Sequence, residues 1–96
     1  MYVTSQKLQE AEKFVRIALD QKPGFAEAWQ LLGRLYAGQK ELTRAKEAFL
    51  KGVQLNPKNA SALLDLGNCL ESLEDYAGAM KAYQHALELS GENTKR

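Results

Sequence analysis

The sequence predicts an all-α fold built from antiparallel helix-turn-helix units, and three observations support that prediction. Leu and Ala supply 28 of the 96 residues, whereas Val and Ile supply 4, and this balance favours helix over strand. Apolar residues recur at the i, i+3, i+4 spacing of an amphipathic helix in several segments. These segments follow one another with a constant period. A chain of 96 residues forms one small domain at most.

The constant period is 34 residues. Segments that open at Ala26 and at Ala60 align without a gap, and eight of their residue pairs are identical. The identical pairs are Ala26/Ala60, Ala28/Ala62, Leu32/Leu66, Gly33/Gly67, Ala45/Ala79, Ala48/Ala82, Leu55/Leu89 and Asn59/Asn93. A fixed period of this length is typical of helical arrays, so the repeat predicts stacked copies of one supersecondary unit.

The first copy divides into two amphipathic helices. Apolar residues from Ala28 to Tyr36 form the stripe of the first helix, and a break is expected near Gly38-Gln39. The second helix is predicted over 42–55. We expect Pro57 to end it, because proline has no N–H to donate and disfavours helix in the preceding residue.

The second copy repeats this plan. Asn59 is the predicted N-cap of its first helix, and the last helix is predicted over 76–89. Gly33 and Gly67 fall inside helices, where glycine costs about 1 kcal/mol relative to alanine. We therefore expect each glycine to let the partner helix approach closely, with Ala45 and Ala79 on the other side of the crossing.

The chain resembles the tetratricopeptide-repeat family through these residues. The pattern Trp29-x-x-Leu32-Gly33-x-x-Tyr36 is followed at the family spacing by Ala45, Phe49 and Pro57. The second copy keeps Leu66-Gly67, Ala79, Tyr83 and Ala86 but has Gly91 where the family has proline. The resemblance implies hairpins stacked as a short right-handed superhelix.

Four segments follow from this register. Residues 1–25 form a partial repeat, in which 1–4 are the end of a first helix and the rest is a second helix. Residues 26–59 and 60–91 are complete repeats, and 92–96 are a polar tail. In the partial repeat, Leu8 and Val15 take the positions of Leu42 and Phe49.

The resemblance also implies a non-enzymatic scaffold or adaptor, whose concave face holds an extended peptide or a helix of another protein. The residues expected on that face are Glu27, Gln30, Arg34 and Ala37 in one copy and Ser61, Leu64, Asn68 and Glu71 in the next. By that resemblance, Arg34 and Asn68 hydrogen-bond a peptide backbone or pair with an acidic side chain. A solvated helix face is the alternative interpretation of each position.

One branch of the family binds the C-terminal carboxylates of heat-shock chaperones through lysines and asparagines on consecutive first helices. With that pattern started at residue 26, Gln30 and Arg34 stand where Lys and Asn are required, and Asp65 stands where the next Asn is required. A carboxylate at Asp65 repels a carboxylate ligand, so this class of partner is disfavoured.

The ends of the array lack the polar outer face that terminal repeats need. The apolar residues expected to be uncovered are Leu8, Phe14 and Val15 on the opening helix and Met80, Tyr83 and Leu87 on the last helix. This leaves three alternatives: a piece of a longer array, a homo-oligomer that pairs through its ends, or a small protein with partly exposed ends. The second functional hypothesis is therefore structural self-association through Met80, Tyr83 and Leu87.

The sequence has little that points to catalysis. We expect His85 on the surface and Cys69 in a packing position. Glu71, Glu74 and Asp75 cluster at a hairpin turn, where Asp75 stands near a helix N-terminus. No zinc spacing, phosphate-binding glycine loop or nucleophile motif occurs, so we predict neither an enzyme, a cofactor nor a metal.

Charge and hydropathy narrow the classes of partner. The net charge is +1 with no basic cluster, which disfavours nucleic acid. No apolar run approaches the roughly 20 residues of a membrane span, and no signal peptide is recognised. Cytoplasm is thus the default location, and another protein is the expected partner.

Overall fold

The computed structural model describes residues 5–91, with side chains from residue 7 onward. Five helices follow one another in this part of the chain: α1 (Ser5–Gln21), α2 (Ala26–Gly38), α3 (Leu42–Leu55), α4 (Ala60–Ser72) and α5 (Tyr76–Ser90). Three-residue connections, 39–41 and 73–75, join α2 to α3 and α4 to α5 as antiparallel hairpins. Segments 1–4 and 92–96, expected as a helix end and a polar tail, lie outside the described residues.

The hairpins stack into an elongated solenoid of 47 × 29 × 23 Å. α1 packs on α2, α3 packs on α4, and the first helices α2 and α4 touch each other directly. The predicted all-α fold of stacked helix-turn-helix units is confirmed. The predicted span 42–55 coincides with α3, and α5 extends one residue beyond its predicted end at Leu89.

Both hairpin turns reverse the chain through a non-glycine residue in the left-handed region. Lys40 has φ 64° and Glu74 has φ 67°, and these two residues occupy the same position of the 34-residue repeat. Hydrogen bonds from Glu41 N to Tyr36 O (2.9 Å) and from Lys40 N to Ala37 O (3.0 Å) give the first turn the Schellman pattern. The break expected near Gly38-Gln39 is confirmed, because α2 ends at Gly38, and the left-handed residue of the turn is Lys40.

Two polar side chains cap the second hairpin. Asn59 Oδ1 accepts a hydrogen bond from Ala62 N at 3.2 Å, which confirms the predicted N-cap of α4. Asp75 Oδ1 accepts from Gly78 N at 3.1 Å and caps α5. These bonds satisfy backbone donors that a helix leaves unpaired at its first turn.

An aromatic ring lies on each of the equivalent glycines Gly33 and Gly67. A Cβ on Gly33 would lie 2.6 Å from Phe49 ring atoms, and one on Gly67 would lie 2.6 Å from the Tyr83 ring. Glycine was expected to admit the partner helix itself, with an alanine on the other side. The contact is instead between the glycine backbone and a ring of the second helix, while Ala45 and its equivalent are buried nearby.

The two sides of α1 differ in how well they are covered. Val15 and Leu19 are buried against the core, so the expectation that Val15 lost its contacts was wrong, because this side of α1 packs on α2. Phe14 on the other side is 72% exposed, whereas Ala48, its equivalent on α3, is 3% exposed. Hence only the surface that faces away from α2 lacks a neighbour among the described residues.

Candidate functional site

Gln30 forms the centre of the contact between α2 and α4. Its Nε2 donates to Asp65 Oδ2 at 2.9 Å and to Ser61 Oγ at 3.1 Å, and its Oε1 accepts from Asn59 Nδ2 at 3.0 Å. The side chain is 9% exposed, and a buried amide needs such partners. Gln30 was expected on the open concave face, but it lies between the first helices because the polar residues of α4 face it.

Arg34 lies one turn further along α2 and is paired within the chain. Its Nε lies 2.8 Å from Asp65 Oδ2, and its second amino group lies 3.4 Å from Ser61 Oγ. The guanidinium remains half exposed, so the pair itself contributes little stability. Since Asp65 already neutralises Arg34, the charge available for an acidic ligand is small, although unused N–H donors remain.

A pocket of about 270 Å³ opens beside this ion pair, between α2, α3 and α4. Its apolar lining consists of Leu42, Phe49, Ala37 and Cys69, and its polar lining consists of Arg34, Asp65, Asn68 and Ser72. Three of the residues predicted for partner binding, Arg34, Ala37 and Asn68, thus share one cavity. Ser72, the last residue of α4, was not predicted, although it lies four residues after Asn68 on the same face of the helix and this spacing could have identified it.

Asn68 and Glu71 are held by the hydroxyl of Tyr83. The hydroxyl oxygen lies 2.6 Å from Asn68 Oδ1 and 3.0 Å from Glu71 Oε1. One hydroxyl has a single proton, so the consistent arrangement has Tyr83 donate to Glu71 and accept from the amide nitrogen of a flipped Asn68. Partial burial, followed by the hydrogen bond and charge of Glu71, raises the pKa of Tyr83.

The other predicted residues of this face are separate from the pocket. Glu27 and Leu64 are exposed, and Leu64 occupies the repeat position of the buried Gln30. Leu31, which the sequence analysis did not select, is also exposed and occupies the position of Asp65. The two residues of the Gln30–Asp65 hydrogen bond between the complete repeats are therefore replaced by exposed leucines at their equivalent positions: Leu64 for Gln30 and Leu31 for Asp65.

The residues predicted for self-association lie on α5. Met80 is 66% exposed, and Leu87 is exposed as well. Tyr83 differs from them, because its ring packs on Gly67 and the side chain is only half exposed. Of these three residues, Met80 and Leu87 therefore present a freely accessible apolar surface.

A larger cleft of about 820 Å³ separates α1 from α3 above α2. Beside it, Arg16 and Tyr36 bond to Glu12 and to each other. Burial disfavours ionisation of Glu12, but the bonds from Arg16 and Tyr36 and the arginine charge outweigh it, so the pKa of Glu12 is lowered. Arg44 on the rim pairs with Glu41, and Asp20, Glu47 and Lys51 also line the cleft, so both signs of charge surround it.

No catalytic arrangement emerges among the described residues. Cys69 is buried, its Sγ lies 3.3 Å from Leu42 O, and burial raises the pKa of its thiol despite the charge of Lys46. His85 is exposed. Between residues 5 and 91, no group of three or more His, Cys, Asp or Glu side chains is arranged to hold a metal ion.

None of the helices between residues 5 and 91 combines the length and the apolar character needed to cross a bilayer.

Known proteins share both the repeat and the fold. Human protein O-mannosyl-transferase TMTC3 is 32% identical over 85 residues, which are 88% of this chain and 9% of that protein. Tetratricopeptide repeat protein 8 of Caenorhabditis elegans is 26% identical over 92 residues, which are 96% of this chain and 18% of that protein. The chain therefore spans less than a fifth of the length of these curated relatives.

Among solved structures, MamA superposes with a TM-score of 0.85 at 26% identity, over 90% of this chain and 50% of that one. MamA from residue 41 onward, from Desulfovibrio magneticus RS-1, superposes with a TM-score of 0.85 at 25% identity, over 93% and 50%. The family model of the tetratricopeptide repeat matches residues 2–59 and again residues 41–94. Because these matches span nearly the whole sequence, the chain belongs to the tetratricopeptide-repeat family.

Proposed function

We propose that this chain is a non-enzymatic protein-binding module that holds a short segment of a partner across α2 and α4. Its repeats belong to a family that generally mediates protein–protein interaction. The observation that carries the proposal is the pocket of about 270 Å³ that contains Arg34, Ala37 and Asn68 together. A cavity with an apolar floor and a few convergent polar groups is the usual form of a binding site.

The chemistry of the pocket favours a neutral side chain of the ligand. Leu42 and Ala37, which are partly exposed, supply apolar surface, while the charge of Arg34 is neutralised by Asp65 at 2.8 Å. The remaining N–H donors of Arg34 and the exposed amide of Asn68 are suited to backbone carbonyls of an extended peptide. An acidic ligand is disfavoured, because it competes with Asp65 for the same guanidinium.

Selection from a random peptide library on the immobilised chain tests this proposal. Ser72 is an exposed residue of the pocket rim, so Ser72→Trp fills the cavity without entering the core. Gln84→Trp, on the exposed side of α5, is the matched control. Enriched peptides should bind the native chain and Gln84→Trp equally and lose binding to Ser72→Trp. Peptides that bind both variants alike, or no enrichment at all, contradict the proposed site.

Self-association through the ends is the second candidate function. The observation that favours it is the exposure of Met80 and Leu87, which lie seven residues apart on one side of α5, since contiguous exposed apolar surface marks interaction sites. Sedimentation velocity over a concentration series tests it. A mass that rises with concentration and returns to the monomer value in Leu87→Lys supports self-association, whereas a constant monomer mass contradicts it.

A further inference from the structure

The hydroxyl of Tyr83 connects two polar side chains of α4 beside the pocket. It lies 2.6 Å from the Asn68 amide and 3.0 Å from Glu71 Oε1. An ionised carboxylate has no proton to donate, so the hydroxyl donates to Glu71 and accepts from the amide nitrogen of Asn68. Partial burial and the neighbouring Glu71 raise the pKa of Tyr83, so the hydroxyl keeps its proton at neutral pH. We call these three residues the Tyr83 network.

Packing of the hairpin does not require the Tyr83 network. In the first complete repeat its positions are occupied by residues that cannot form it: Arg34, Ala37 and Phe49. Phe49 nevertheless packs on Gly33, so the contact between the ring and the glycine needs no hydroxyl. The polar groups of the network are therefore an addition to the repeat, and they lie where Asn68 reaches the pocket.

The network determines which end of the Asn68 amide a ligand meets. Asn68 is exposed and lines the pocket of about 270 Å³. With its nitrogen turned to Tyr83, the opposite end of the amide carries the carbonyl oxygen. In the part of the chain that the structure describes, no second hydrogen bond forms to this side chain. Asn68 therefore offers an acceptor to a molecule in the pocket, and its second amide proton stays available to a backbone carbonyl.

Arg34 supplies hydrogen-bond donors from the other first helix, α2. Its Nε and one amino group bond to Asp65 and Ser61, which leaves the N–H groups of the other amino group unused. Asp65 accepts both of its hydrogen bonds on Oδ2, so its Oδ1 is a second acceptor in the pocket. The pocket thus combines donors from α2 with acceptors from α4.

A carboxamide is the side-chain group that matches this combination, because it has a carbonyl oxygen and an N–H₂ group. We infer that the pocket binds the side chain of an asparagine or glutamine in the partner segment, with Tyr83 as the positioning residue that turns Asn68 to select it. The ligand oxygen accepts from Arg34, and the ligand nitrogen donates to Asn68 Oδ1. The inference rests on the proposed function, for which it names the recognised side chain.

The same geometry rejects the two charged alternatives. A carboxylate has the shape of a carboxamide but only acceptors, so it meets the oxygens of Asp65 and Asn68 without a proton to share. An ammonium group has only donors, and it meets the guanidinium of Arg34. Discrimination between an amide and the acid of the same shape is therefore the measurable property of this pocket.

Library peptides whose binding is lost in Ser72→Trp serve as probes. Each is synthesised with its asparagine or glutamine and again with aspartate or glutamate in that place. The amide version should bind the native chain about tenfold more tightly, as expected when one hydrogen bond is replaced by a repulsive contact. Pocket-dependent peptides that lack such an amide, or bind equally well as acids, overturn the inference and leave the proposed function intact. The absence of any pocket-dependent peptide overturns both.

Two variants test the role of Tyr83. Tyr83→Phe keeps the ring on Gly67 and removes the hydroxyl. Glu71→Gln lets residue 71 donate to the hydroxyl, which then donates to Asn68 and turns the amide nitrogen outward. Both should lower the preference for the amide about fivefold or more, whereas Glu88→Gln, the same charge change at an exposed residue of α5, should leave it unchanged. A preference that neither network variant lowers overturns the role of Tyr83.

Hydrogen exchange of the Asn68 side chain, followed by nuclear magnetic resonance, tests the amide orientation without a ligand. One of its amide protons is bonded to Tyr83 in the native chain, so these protons should exchange with water faster in Tyr83→Phe. Equal exchange rates in the two chains overturn the assigned orientation and the inference with it.

Discussion

The contact between Gly33 and Phe49 gives a direct test of how each hairpin is packed. Gly33 lies in the interior of α2, and a Cβ built on it would lie 2.6 Å from two ring carbons of Phe49. Carbon atoms in contact stay about 3.5–4.0 Å apart. Gly33→Ala therefore requires the ring to move by about 1 Å, but Phe49 is 2% exposed and enclosed by the core.

Two opposing effects determine the size of the change. Alanine is favoured over glycine in a helix interior by about 1 kcal/mol. Overpacking a tight core costs about 1–3 kcal/mol, and the upper part of that range applies where the neighbour cannot move. The expected result is a net loss of about 1–2 kcal/mol in the free energy of unfolding. For a chain of this size, that lowers Tm by roughly 5–15 °C.

Urea and thermal unfolding, followed by far-ultraviolet circular dichroism, measure the effect. Gly38→Ala is the matched control, because its Cβ would meet only Leu8 Cδ2 at an ordinary 3.9 Å, and it should be neutral or stabilising. Replacing Phe49 by Leu should reduce the cost of Gly33→Ala in a double-mutant cycle. A Gly33→Ala chain as stable as the native chain refutes the packing argument.

The remaining predictions concern one cap, one carboxyl group and one thiol. Asn59→Ala removes the α4 cap and leaves the buried Gln30 carbonyl oxygen without its partner, so urea unfolding should show that the free energy of unfolding falls by roughly 2 kcal/mol. The control Asp75→Ala removes only a cap and should lower it by about 1 kcal/mol. Equal losses contradict the role of Asn59 between the helices. Despite partial burial, the fold lowers the pKa of Glu12 below its ordinary value through the bonds from Arg16 and Tyr36. Its contribution to stability is therefore complete above the ordinary value and is lost as pH falls through the folded pKa. Glu12→Gln should flatten the acid side of the stability profile, and an unchanged profile is the contrary result. Burial raises the pKa of the Cys69 thiol, so a thiol reagent should label the native chain slowly and the urea-unfolded chain rapidly. Rapid labelling of the native chain contradicts the burial of Cys69.

Helix positions and hairpin partners were predictable because they depend on residues close in sequence. Pro57 and Asn59 mark one helix end and the next start, and the 34-residue period identifies equivalent helices. The break near Gly38-Gln39 was also predictable, since α2 ends at Gly38. Which residue of the turn is left-handed was not: Lys40 takes that conformation, because the hydrogen bonds of the turn, rather than a glycine, fix where the chain reverses.

Contacts between the first helices were not predictable from one helix alone. Gln30 is polar and falls on the side of α2 away from α3, which is typical of a solvated position. It is buried because Ser61 and Asp65 face it from the next repeat. In the sequence, a polar residue among polar residues is interpreted as solvent-exposed, so its burial could not be recognised. The equivalent of Gln30 in the other copy is Leu64, and the equivalent of Asp65 is Leu31. This difference between the two copies could have identified the contact.

The central claim is that α2 and α4 together hold a partner segment at the pocket beside Arg34. Amide shift mapping on the isotope-labelled chain, titrated with a library-selected peptide, tests it most directly. The largest changes should cluster at the residues that line that pocket, Arg34, Ala37, Asn68 and Ser72. Changes confined to the cleft between α1 and α3, or to Met80 and Leu87 on α5, contradict the claim and move the binding site elsewhere on the solenoid.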